Sequence, residues 1–273
     1  MIIVSILQKF GIEIFDYGYY LGVYRINLWF YEPSYLSTYL AIWFSYSLYL
    51  LIIKGDRTYI KDIILSITSF ILSTATTGFI AMIISFGFIM LLSLRKIKLK
   101  QYIYIASSIL ITLIVIILFF PNVFDVFFLR LFEGIIEASG DRIKRYSETF
   151  NVFLSKPIFG IGSGCYGYYF NNPKLVPTNV FLEMLACLGI VGTIMFIYFI
   201  FMPVIKLYKS KDIDYRAYSF ALFIFFIVLQ ANQNYLRLYM FMIMGVVYAC
   251  YEEGSGMCGK RNNTGLQLFY DGY

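Results

Sequence analysis

Arg25, Glu32, Arg142, Arg145 and Glu183 are charged residues set in a chain that is otherwise mostly apolar. Arg142, Lys144 and Arg145 form a dense basic group. Arginine stays charged at any working pH, and its planar fork grips phosphate oxygens through paired hydrogen bonds. The group therefore suits an anionic lipid-linked ligand, such as a pyrophosphate. The alternative is a solvated amphipathic helix at a membrane surface, with Glu137, Asp141 and Glu148 partly balancing the charge. Asn179 and Glu183 lie four residues apart at the start of an apolar run, so they share one helix face, with Cys187 next along it. A carboxylate about one turn into a membrane helix is costly unless it meets a cavity or a partner.

Arg25 and Glu32 flank Trp29 and Tyr31 just before Pro33, a residue suited to the first turn of a helix. This segment reads either as a cation and carboxylate at the mouth of a site or as an interfacial anchor with an aromatic belt. Gly160, Gly162, Gly164 and Gly167 follow Pro157 and permit a tight turn that approaches a ligand closely. Tyr166, Tyr168, Tyr169 and Phe170 beside them could stack on sugar rings. In a chain with 26 Tyr and 28 Phe, that cluster weighs little by itself.

The elements that must position these residues belong in a bilayer. Hydrophobic residues make up 60% and charged ones 14%, with a mean hydropathy of +0.74. Apolar windows of roughly 17–25 residues suffice to cross a hydrocarbon core of about 30 Å. The sequence predicts an all-α polytopic membrane protein. Its seven spans fall near Ser34–Ile53, Ile60–Thr74, Thr77–Leu94, Gln101–Phe120, Thr178–Val204, Tyr215–Gln230 and Leu236–Tyr251. Residues 1–252 form one transmembrane domain, and 253–273 form a polar, poorly ordered tail.

Orientation follows from Lys and Arg. The connections Lys54–Lys61, Arg95–Lys100 and Lys206–Arg216 hold 3, 4 and 4 of them, half of the chain's 22, and are expected inside. One large loop, Pro121–Pro177, is then outside, with the tip Ala231–Tyr235. The segment before Ser34 is also placed outside. That position calls for a shortened or re-entrant helix at Met1–Phe15, or for further N-terminal helices.

Several chemistries are excluded. The chain has no histidine, hence no His-based triad, H-E-x-x-H metal site or His general base. The cysteines, at 165, 187, 250 and 258, show no zinc spacing and suggest no disulfide. No P-loop or dinucleotide fingerprint occurs, and the net charge of +6 follows the membrane bias rather than a nucleic-acid footprint. No metal or cofactor is implied.

Four segments in order resemble the O-antigen polymerase and ligase superfamily of bacterial membranes (Wzy-type polymerases and their relatives). Arg25 with Phe30-Tyr31-Glu32-Pro33-Ser34 is similar to the family's R-x-x-G-x-F-x-E-P-S pattern, and Leu72-Ser73-Thr74-Ala75-Thr76-Thr77-Gly78 to its T-x-S-x-x-G segment. Arg142 with Tyr146 and Lys156–Gly164 form the third, and Thr178–Gly192 the fourth. The resemblance implies a membrane glycosyltransferase that joins oligosaccharide repeat units carried on undecaprenyl pyrophosphate, outside the cytoplasmic membrane. It implies a product such as O-antigen, capsule or exopolysaccharide, and partners such as a flippase and a chain-length regulator.

In that reading Arg142, with Arg25 or Arg145, meets charge developing on the leaving pyrophosphate. Glu183 and Glu32 are the carboxylates that could take or orient the acceptor's proton. Asn179 positions a sugar or Glu183, and Gly160 and Gly162 let the turn approach substrate. Two departures favour a polymerase over a ligase. Pro177-Thr178 stand where ligases carry a histidine, and Ala75-Thr76-Thr77 stand where an arginine follows the serine. The competing classes are a ligase-type transferase, a lipid-linked oligosaccharide flippase and an inactive fragment.

Overall fold

The computed structural model describes residues 18–20, 23–25, 32–93, 107, 110, 114, 117–118, 121–172, 175–177, 179–230 and 238–254, giving the backbone alone for the two strands and most of 121–141. The proposed segment Met1–Phe15, the basic connection Arg95–Lys100, most of Gln101–Phe120, Trp29, Tyr31, the polar tip 231–235 and the tail beyond 254 lie outside the described residues.

The fold is helical apart from a short antiparallel pair, β1 (Gly18–Tyr20) and β2 (Val23–Arg25). Helix α1 (Pro33–Tyr49) begins on a proline, where a missing N–H costs nothing, and runs into a π-helical turn, Leu50–Lys54. A single 3-10 turn, Arg57–Tyr59, leads to α2 (Ile60–Ser73) and then α3 (Thr76–Ser93). Next come α4 (Pro121–Ser155), the four-residue turn α5 (Tyr166–Tyr169), α6 (Val180–Tyr208), α7 (Ile213–Leu229) and α8 (Leu238–Gly254). The outer segment anticipated as a loop is thus largely the 35-residue helix α4.

Among the described residues, two helical stretches, Pro33–Lys54 and Val180–Tyr208, are long and apolar enough to cross a membrane. Helices α3 and α8 contain shorter apolar runs, Thr76–Leu92 and Met240–Ala249.

α1 lies at the centre, packed against α2, α3 and α7. Leu48, Leu50, Phe70, Ala81, Ala217, Ala221 and Ile224 are wholly enclosed in that core. Two serine pairs hold α1 to its neighbours. Ser37 and Ser73 hydroxyls are 2.9 Å apart, and those of Ser45 and Ser85 are 2.8 Å apart. Such pairs add about 0.6 kcal/mol each in membrane helices, so close apolar packing carries most of the association. A second core joins α6, α7 and α8 through Met184, Val204, Phe225 and Met244.

The ion pair from Lys54 Nζ to Asp214 Oδ1 (3.1 Å) ties the end of α1 to the start of α7. The last turn of α6 holds Lys206 and the α6–α7 connection holds Lys209 and Lys211, so the two described basic segments share one end of the bundle. Glu32, the α2–α3 turn, Asn179 and Gln230 share the opposite end.

Helix α6 is interrupted. Gly189 has φ 65° and ψ −169°, far from helical values. The peptide groups freed there are paired by the segment that follows α4. Ile161 N–H donates to the Ala186 carbonyl (3.0 Å) and Gly162 N–H to that of Cys187 (2.9 Å). In return, Ile190 N–H donates to Pro157 O (2.9 Å) and Val191 N–H to Ile158 O (3.3 Å). Inside a hydrocarbon layer a broken helix is tolerable only when its free backbone groups are satisfied in this way.

Candidate functional site

The interruption is where the candidate residues gather. On α4, Arg142, Arg145, Thr149 and Val152 follow one another at spacings of three, four and three, which keeps them on one stripe of the helix. Val152 is buried with Tyr166, Ala186 and Cys187, so the stripe that carries the arginines continues into the contact with α6. Both arginines are half-buried.

Glu183 lies in the first turn of α6 and is only 6% exposed. It is one turn from Cys187, and the two are within electrostatic reach. The backbone amides of Gly164 and Tyr166 face the Cys187 sulfur, and Cys165 lies close to it as well.

Between the charged groups stands a pair of hydroxyls. Thr149 Oγ1 donates to the Arg145 carbonyl (2.6 Å) and lies 2.8 Å from Tyr166 Oη. Tyr166 is also within electrostatic reach of Glu148 and Arg145. Burial pushes its phenol above the ordinary tyrosine range, so it stays protonated at neutral pH.

Asn179 is the N-cap of α6. Its Oδ1 accepts from Leu182 N–H (3.0 Å), while Nδ2 donates to the Gln230 carbonyl at the end of α7 (3.0 Å). Gln230 answers in kind, its Oε1 accepting from Phe181 N–H (3.1 Å). Each residue satisfies orphan groups on the other's helix. Gly160 and Gly162 have φ 71° and 106°, and their N–H groups bond to the Lys156 and Cys187 carbonyls.

Glu32 is exposed at the N-cap of α1 and accepts from Ser34 Oγ (3.0 Å). Arg25 ends β2, and this strand lies against α4. Sequence reasoning passed over Thr149, gave Tyr166 only a loose sugar-stacking role, and read Gln230 with Asn232, Gln233 and Asn234 as a hydrated loop or the lining of a sugar cavity rather than as a helix cap. The seven-residue step from Arg142 to Thr149 was the available signal for the first of these. Among the described residues, no group of three or more His, Cys, Asp or Glu side chains is placed to hold a metal ion.

A largely helical fold that has, among the described residues, two helices of spanning length and a buried carboxylate beside a stitched helix break has the make-up of a membrane protein. Residues 63–197 match the family model described as O-antigen ligase, a match that supports the O-antigen ligase and polymerase superfamily for this chain. The matched segment holds Arg142, Arg145, Gly160, Gly162, Asn179 and Glu183, whereas Arg25 and Glu32 precede it. Members of the family are glycosyltransferase-type enzymes acting on lipid-linked glycans. No curated protein and no solved structure gave a match.

Proposed function

We propose that this protein is a polymerase joining undecaprenyl-pyrophosphate-linked oligosaccharide repeat units at the outer face of the cytoplasmic membrane. The observation that carries the reading is the buried Glu183 in the first turn of a span-length helix that packs on the arginine-bearing stripe of α4 at Val152 and is hydrogen-bonded at its break to the segment after α4. A charge is kept in such surroundings only for a partner or a reaction.

In the reaction, the acceptor hydroxyl oxygen attacks the donor's anomeric carbon and forms the glycosidic bond. The bond from that carbon to the pyrophosphate oxygen breaks, and its electron pair leaves with the pyrophosphate. Arg142 and Arg145 stabilise the charge arriving on the phosphate oxygens, with Arg25 as a third cation carried by the strand against α4. Glu183 takes the hydroxyl proton, and Glu32 is the other carboxylate of the set. Asn179 sets the start of the helix bearing Glu183, and Gly160 and Gly162 shape the turn beside it.

The description of the matching family favours a second reading, in which finished glycan passes to a different acceptor as in a ligase. A strain deleted for the gene, complemented with wild type or with Arg142→Ala, separates the two by glycan size and location. Polymerase loss leaves single repeat units. Ligase loss leaves long glycan stranded on its lipid carrier. An unchanged surface ladder on deletion removes both.

A further inference from the structure

Thr149 and Tyr166 link the two charged halves of the site without supplying charge themselves. Thr149 sends its only proton to the Arg145 carbonyl, so in the 2.8 Å pair with Tyr166 the phenol is the donor. Both residues are enclosed, at 1% and 3% exposure. Tyr166 opens α5, directly after the segment whose Ile161 and Gly162 amides hold the Ala186 and Cys187 carbonyls. Cys187 is one turn beyond Glu183. Bonded groups therefore run without a gap from the Arg145 turn through Thr149 and Tyr166 to the turn of α6 that carries Glu183.

We propose that Tyr166 is a positioning residue that fixes the spacing between the Arg145 turn of α4 and the Glu183 turn of α6. The inference rests on the transferase reading above. There, cations must meet the leaving phosphate while a carboxylate meets the acceptor hydroxyl, so their separation has to match one donor–acceptor pair. A displacement of about 1 Å at such a pair costs roughly a hundredfold in rate. Tyr166 packs by its ring against Val152, Ala186 and Cys187, and only its hydroxyl reaches Thr149. Removing the oxygen alone therefore disturbs the spacing and leaves the apolar contact in place.

The test uses the purified full chain and the lipid-linked repeat unit extracted from the deletion strain as probe. Tyr166→Phe should lower kcat about tenfold with KM unchanged, since the hydroxyl does not touch substrate. Thr149→Val removes that bond and also the one to the Arg145 carbonyl, so it should be at least as slow, and the double variant should be no slower than Thr149→Val alone. Thr149→Ser, which restores the hydroxyl, should recover most of the rate.

Wild-type kcat in Tyr166→Phe beside an inactive Arg142→Ala overturns the inference and leaves the transferase reading standing. So do Tyr166→Phe and Thr149→Val losses that multiply in the double variant. A loss that vanishes when rate is expressed per folded molecule also overturns it, since the role would then be structural. Arg142→Ala turning over the probe at the wild-type rate removes the transferase reading itself, and this inference with it.

Discussion

Gly160 and Gly189 face one another across the interruption of α6, each occupying ground that a side chain on the other segment would need. A β-carbon on Gly160 would collide with the Cys187 carbonyl group and stand 2.6 Å from Leu188 N. One on Gly189 would collide with the Ile158 carbonyl and stand 2.6 Å from Phe159 N. Both also have positive φ, at 71° and 65°. Gly164 has a similar φ of 74°, but nothing lies within 4 Å of its hypothetical β-carbon.

These three positions separate backbone strain from steric exclusion. Gly164→Ala should cost about 1–2 kcal/mol, the strain of a left-handed conformation for an L-residue. Gly160→Ala and Gly189→Ala carry that strain and must also push the two segments apart, breaking bonds that satisfy the helix break. The measurement is thermal melting of the detergent-purified protein, with a clearly larger drop for these two. Equal drops in all three would mean that the segments do not interlock.

Asn179 and Gln230 cap each other's helices, so their losses should not add. Asn179→Ala should cost about 1 kcal/mol, the usual effect of removing an N-cap. It also frees the Gln230 carbonyl. Gln230→Ala removes the acceptor for Phe181 N–H. A double-mutant cycle on melting should show a coupling of about 0.5 kcal/mol or more. Additive losses would show that the two caps act separately.

The apolar helices were legible because length and hydropathy specify them locally. The run read as Ser34–Ile53 is Pro33–Tyr49 with a π-helical turn to Lys54, and the run read as Tyr215–Gln230 is Ile213–Leu229. Asn179 was seen as a face-mate of Glu183, although its position before an apolar run is also that of an N-cap. The interruption at Gly189 was not legible. A lone glycine among apolar residues is ordinary in a membrane helix. The groups that make the break tolerable also come from Pro157–Gly162, about thirty residues upstream. The same non-local character hid Tyr166, whose place between Thr149 and Cys187 depends on that docking.

The raised pKa of the Tyr166 phenol has a defined sign. A group whose folded value is raised contributes stability that is present below its unfolded pKa, about 10 for tyrosine, and is lost as pH rises through the folded value. The stability difference between wild type and Tyr166→Phe should therefore be constant from pH 7 to about 9.5, then shrink at more alkaline pH. Melting curves of the two proteins across that range test it. A difference that stays constant through about pH 11 would mean that the hydroxyl ionises as readily in the folded protein as in the unfolded chain.

Pro203 and Tyr248 form a second repaired defect in α6. Proline has no N–H, so the Phe199 carbonyl one turn earlier loses its helical donor. The Tyr248 hydroxyl of α8 takes that place at 2.7 Å, with its ring stacked on Phe199 at a centroid distance of 5.3 Å. Tyr248→Phe keeps the ring and strands the carbonyl, which should cost about 1–3 kcal/mol where water does not reach. Pro203→Ala returns an N–H to the helix, so in that background the same tyrosine change should cost little. Melting of the two single variants and the double variant decides the matter. An equal penalty for Tyr248→Phe with and without Pro203 would place the hydroxyl's contribution elsewhere. A penalty seen only with the proline would show that α8 is fastened to α6 at the one carbonyl that the proline leaves open.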